Sequence, residues 1–282
     1  MQSHNPAFRN DRAFSQGGYA TFDDTDRRGR GQAPTRGGAG SPQDMTPQQL
    51  QEMYAQPSAG GAQTGRMTYD DVVVRTGALF GLLVITAAAT WTLTEPGTAL
   101  GLALPAMLVA AGLGIWANLS KKIRPGVMVA YAVLMGGVLG AISQAFETQW
   151  AGIVPQAVIG TLGAFAAMLV AYKTKVIRAT EKFKRFMFIA MMGFLAVVVV
   201  NLGVALFTGN SIYDSPLGWL VSLAGVLLAS FMLILDFDFI EQGVRNGLPQ
   251  QYAWRAAFGL VTTLVWLYIE ILRLLAILRG ND

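Results

Sequence analysis

The chain has 282 residues and a net charge of +4, with 53% of its residues hydrophobic and 13% charged; an ordinary soluble domain has roughly 45–50% and about 25%. This is the composition of a membrane protein. With no cysteine and a single histidine, His4, the chain excludes disulfide frameworks, thiol nucleophiles, zinc fingers, histidine triads and haem held by imidazole.

Residues 1–66 are rich in Gly, Gln, Pro, Ser, Arg and Asp. Such a segment buries too little apolar surface to offset the entropy of ordering, so a disordered, cytoplasmic tail is expected. Within it, Thr46 and Pro47 have the N-cap and first-position chemistry of a short helix reaching Tyr54. The run Arg27-Arg28-Gly29-Arg30-Gly31 reads as solvated charge. The first apolar run starts only at Val72, which is not the pattern of a secretory signal, so the first span is expected to stay in the mature protein.

Residues 67–282 read as one membrane domain of seven apolar spans, each near the ~20 residues that a helix needs to cross a bilayer. They fall at about Val72–Thr94, Thr98–Leu119, Val127–Phe146, Ala151–Tyr172, Phe186–Phe207, Leu217–Phe239 and Ala256–Leu278. Short connections favour an all-α, compact antiparallel bundle in which backbone hydrogen bonds close within each helix. Gly77 with Gly81, Gly136 with Gly140, and Gly160 with Gly163 have the spacing of close helix packing, and Gln144 and Asn201 are candidates to bridge helices. Pro105 and Pro155 are candidate kinks.

The basic residues set the topology. Arg66 and Arg75 flank the first span, and Lys or Arg fill the second, fourth and sixth connections. The first, third and fifth (Glu95–Gly97, Glu147–Trp150 and Thr208–Pro216) contain none. The positive-inside rule then puts the N-terminus in the cytoplasm and the C-terminus outside, as expected for a multi-pass protein of the plasma membrane. The same distribution ties the basic pI of 9.4 to the bilayer rather than to specific nucleic acid. Five of the six tryptophans, Trp91, Trp116, Trp150, Trp219 and Trp254, lie near span ends, as in an aromatic belt.

Ionisable groups inside the spans carry the functional signal, because hydrocarbon penalises them. The run Leu235-Asp236-Phe237-Asp238-Phe239-Ile240 ends the sixth span. Two positions apart on a helix, Asp236 and Asp238 diverge by about 200° and do not chelate one ion together. Asp238 shares a face with Glu241 and Gln242, which reads either as the solvated end of the helix or as an acidic mouth with Asp238 as the candidate pore acid; Asp236 is a further acid. Glu270 lies deep in the seventh span, and two readings stay open for it. Arg273, one turn onward, can neutralise it as a countercharge. Alternatively, the sixth and seventh helices bring Asp238 and Glu270 together, and paired carboxylates in a dry interior titrate as a unit and make a proton-sensitive gate. Ionised, the same oxygens would attract a hard cation such as Ca²⁺, so Ca²⁺ or H⁺ is the candidate cargo.

At these residues the sequence resembles the Bax inhibitor-1/YccA family, also called the transmembrane Bax inhibitor motif family. Leu235–Gly243 (LDFDFIEQG) is similar to its sixth-helix aspartate motif, and Leu267–Leu275 (LYIEILRLL) to its seventh-helix Leu-Tyr-x-Asp-Ile pattern. Ile153–Thr161 adds a family-like stretch, and Asn5–Phe8 with Met67–Val74 resemble the actinobacterial branch. The resemblance implies a seven-helix bundle with the last helix central. In some members it acts as a pH-sensitive calcium leak, and in others as a partner of membrane proteostasis or cell-death machinery. By position, Asp238 corresponds to the sixth-helix acid and Glu270 to the seventh-helix acid. Glu stands where the family pattern has Asp, and the stretch between the acids is several residues longer, which allows them to sit at different depths.

The expected function is therefore a pH-sensitive cation leak and not an enzyme. The alternative is a non-transporting interaction protein that acts on a membrane protease or stress response. Intramembrane aspartyl proteases also place acids on their sixth and seventh helices, but their Gly-x-Gly-Asp motif is absent from this sequence.

Overall fold

Asp71 starts the bundle. Its carboxylate accepts from the Thr68 amide while the Thr68 hydroxyl accepts from the Asp71 amide, both at 3.1 Å. This reciprocal box satisfies two of the amides that a helix start leaves free, and it sets the beginning of α1 (Tyr69–Leu93). The computed structural model describes residues 65–280, and six further helices follow: α2 (Pro96–Leu119), α3 (Pro125–Gln149), α4 (Ile153–Lys173), α5 (Glu181–Thr208), α6 (Gly218–Arg245) and α7 (Tyr252–Gly280). A short 3₁₀ turn, Ile212–Asp214, lies between α5 and α6. All seven helices are long and apolar enough to cross a membrane. The only extended pairing among the described residues is an isolated antiparallel bridge between Arg66 and Pro249. The Thr46–Tyr54 helix and the Arg27–Gly31 run lie outside the described residues.

Local chemistry explains the helix starts. Pro96 and Pro125 open α2 and α3, where a missing N–H costs no hydrogen bond. The Glu147 carboxylate at the end of α3 accepts from the amides of Gly152 and Val154, so it caps α4 from outside the helix. Pro155 therefore falls in the first turn of α4, where its amide would have no intrahelical acceptor and it need not kink the helix. Pro105, by contrast, lies inside α2.

The interior is built around α3 and α7. Helix α3 packs against α1 and α2, and α7 against α1, α3, α4 and α6, whereas α5 leans mainly on α6. Gly136 and Gly140 let α3 approach α1 closely: a methyl group on Gly140 would lie 3.0 Å from Thr90 Cβ, and one on Gly136 would collide with Thr86 and Leu83. Gly77 and Gly81 differ from the expectation, because a methyl group on either would meet nothing within 4 Å. Gly160 faces Ile271 of α7, and Gly163 faces open space. Tyr131 and Phe258 meet edge-on at 5.0 Å, and the hydroxyls of Ser143 and Tyr268 share a 2.7 Å hydrogen bond, so α3 and α7 are joined by both apolar and polar contacts. Gln144 bridges helices as expected, donating to the Trp91 and Thr94 carbonyls at the end of α1. Asn201 instead accepts from the Ile212 amide and caps the α5–α6 connection.

The antiparallel order gives the bundle two chemically different ends. One carries the start of α1 and the α2–α3, α4–α5 and α6–α7 connections, where the loop Lys and Arg residues gather. The other carries the α1–α2, α3–α4 and α5–α6 connections, which have none.

Candidate functional site

The acids of α6 and α7 form a staggered series along the helix pair. Glu270 of α7 is 3% exposed, and α6 accommodates it by presenting Gly225: a methyl group there would lie 2.7 Å from Glu270 Cδ. Arg273 Nη1 donates to both Glu270 oxygens at 3.1 Å, and Trp266 Nε1 donates to Oε1 at 3.2 Å. The Arg273 guanidinium in turn lies 4.1 Å from the ring centre of Tyr213, in the 3₁₀ turn, an attractive placement over the aromatic face. Burial pushes the Tyr213 phenol up in pKa against the opposing pull of Arg273, so the ring stays neutral. The countercharge reading of Arg273 is thus realised as a geometric pair. Of the two readings of Glu270, this is the one with an observed contact.

Asp236 is partly buried between α6 and α7. Thr263 Oγ1 of α7 donates to its Oδ2 at 2.7 Å, and Gly259 leaves room for Oδ1, which a methyl group there would approach to 3.3 Å. Among the described residues no ion pair involves Asp236. Asp238 points elsewhere, pairing with Lys184 of α5 at 3.1 Å and accepting from Gln242 Nε2 at 2.6 Å. On the same helix end, Glu241 accepts from the Tyr172 hydroxyl of α4. These contacts make a polar rim at the basic end that links α4, α5 and α6.

The alternative in which Asp238 meets Glu270 is not what the helices present, and the two acids are staggered in depth. Glu270 lies against Gly225, thirteen residues before Asp238 on α6, or about 20 Å at 1.5 Å per residue. The 200° divergence of the two aspartates holds, but the inward member is Asp236, because the face of α6 that carries Ala229, Leu233 and Phe237 packs on α7 and Asp238 turns toward α5. Between the levels of Asp236 and Glu270 the helices meet through Ala229, Leu233, Leu264 and Leu267, all buried. This is an apolar seal.

Sequence reasoning missed Lys184, Thr263, Trp266, Tyr213 and Gly225. Lys184 looked like one of several basic loop residues, and the others carry no charge that stands out in an apolar span. Among the described residues, no group of three or more His, Cys, Asp or Glu side chains is arranged to hold a metal ion, so the acids form separate stations rather than a cage.

The model of the family described as Bax inhibitor 1 like matches residues 5–280. The chain belongs to that family. A search of curated proteins gave no match. The Bax inhibitor 1 like match takes in nearly all of the chain, the N-terminal region included, where Asn5–Phe8 already carries part of the resemblance. With seven apolar helices, this Bax inhibitor 1 like protein is an integral, multi-pass membrane protein.

Proposed function

We propose that this protein is a proton-responsive leak for a hard cation such as Ca²⁺, which carboxylate oxygens suit. The observation that carries this reading is Asp236, a carboxylate within the α6–α7 interface with a threonine hydroxyl as partner and no ion pair among the described residues. A proton and a cation compete for its oxygens. The apolar seal between Asp236 and Glu270 corresponds to a closed state, and conduction requires α6 and α7 to separate there, in the manner of a hydrophobic constriction that wets when it opens. Glu270, Arg273 and Tyr213 form the station beyond the seal, and Asp238 with Lys184 the one at the basic mouth.

In this reading the protein conducts and does not catalyse. It lies in the plasma membrane with its basic end in the cytoplasm. Ca²⁺ flux into proteoliposomes tests the proposal. Flux should fall as pH falls, and Asp236→Asn should make the residual flux independent of pH. Wild-type flux no greater than that of empty liposomes, or an unaltered pH profile in Asp236→Asn, would overturn it and leave the interaction reading, with a membrane protease or other membrane protein as partner.

A further inference from the structure

A polar pocket lies at the basic end, where the segment before α1 meets the end of α6. The segment before α1 runs antiparallel to the α6–α7 connection: the Met67 amide donates to the Leu248 carbonyl at 2.7 Å and the Gln250 amide to the Gly65 carbonyl at 2.8 Å. Met67 is buried against Gly243, and Gln250 Nε2 donates to the Asp71 carboxylate at 2.7 Å. These contacts bring Arg66 to the pocket that Arg245, far from it in sequence, also lines. Gly247 makes room: its φ of +64° suits glycine, and a methyl group there would lie 3.3 Å from Arg66 Cδ. The pocket that results has a volume of about 560 Å³, and Arg66, Thr68, Tyr69, Arg245 and Asn246 line it together with a single acid, Asp70.

Among the described residues neither Arg66 nor Arg245 has an ion pair or a side-chain hydrogen bond. Arg66 and Arg245 are both exposed and line one pocket with a single acid in the lining, so its net charge is positive and attracts an anion. Guanidinium groups suit phosphate especially well, because their paired N–H donors match its oxygens. The pocket opens where α1 begins and α6 ends, at the boundary of two membrane spans, which is the depth of lipid headgroups.

We propose that Arg66 and Arg245 form a phosphate-binding site, supplied by the headgroup of an anionic phospholipid or by phosphate in solution. It is independent of the ion-leak reading. The test uses the purified full chain in neutral detergent, titrated with phosphatidylglycerol, phosphatidylcholine or inorganic phosphate while thermal unfolding is followed. Phosphatidylglycerol should raise the transition temperature, with half-saturation shifted about fivefold in Arg66→Gln and in Arg245→Gln, the loss expected for one basic group near an anionic surface. The double variant should lose the response, whereas Lys121→Gln/Lys122→Gln, at the same end of the bundle, should keep it. A response to inorganic phosphate equal to that to phosphatidylglycerol assigns the site to soluble phosphate. A response to phosphatidylglycerol alone assigns it to the lipid. An equal response to phosphatidylcholine, no response to any addition, or an unchanged response in both single variants overturns the site. Because each arginine is tested singly, the result does not depend on the double variant folding.

Discussion

Glu270 is buried with one cation for company, so its energetics depend on Arg273. Removing one partner of a buried pair strands the other charge, which costs about 3–5 kcal/mol, whereas removing both together is often close to neutral. Arg273→Met should therefore destabilise the folded bundle by about 3 kcal/mol, and Glu270→Gln/Arg273→Met should regain most of the loss. A double-mutant cycle on thermal unfolding in detergent checks this. Additive losses would mean that the 3.1 Å contact carries no coupling. Gly225 belongs to the same unit, because the side chain it lacks is the space that the Glu270 carboxylate occupies.

At the scale of the helices, glycine spacing alone does not identify a packing face. Gly77–Gly81 and Gly136–Gly140 have the same four-residue repeat, yet a methyl group meets α1 at Gly136 and Gly140 and nothing at Gly77 or Gly81. Gly136→Ala and Gly140→Ala should each cost about 1–3 kcal/mol through overpacking. Gly77→Ala and Gly81→Ala should change stability by less than about 0.5 kcal/mol or raise it slightly, because alanine favours a helix where space is open. Unfolding of the four single variants separates the classes, and equal losses in all four would contradict the α1–α3 packing. The contrast also shows what the sequence can carry. Span number and approximate ends follow from hydropathy along one chain, and all seven helices stand where hydropathy puts them. Register between helices depends on side chains remote in sequence. For that reason Asp238 could be assigned to a helix face, but not to Lys184, and Glu270 to a depth, but not to Gly225.

For the molecule as a whole, the acids were legible as candidates because charge inside an apolar span stands out, whereas their partners Thr263 and Tyr213 are common residues that gain meaning only from proximity. The placement of the two ends relative to the membrane determines which side each acid serves, and the chain is well suited to testing it because it contains no cysteine. Ser215, in the α5–α6 connection, and Val176, in the α4–α5 connection, are both exposed and at opposite ends of the bundle. Neither carries charge, so replacing either leaves the distribution of basic residues, and with it the orienting bias, intact. In intact cells a membrane-impermeant maleimide should label Ser215→Cys directly and Val176→Cys only after permeabilisation. That outcome places the Glu270–Arg273–Tyr213 station toward the outside and the Asp238–Lys184 rim toward the cytoplasm. The reverse labelling would invert the bundle and exchange those positions, so that a proton arriving from outside would meet Asp238 before Asp236 instead of Glu270.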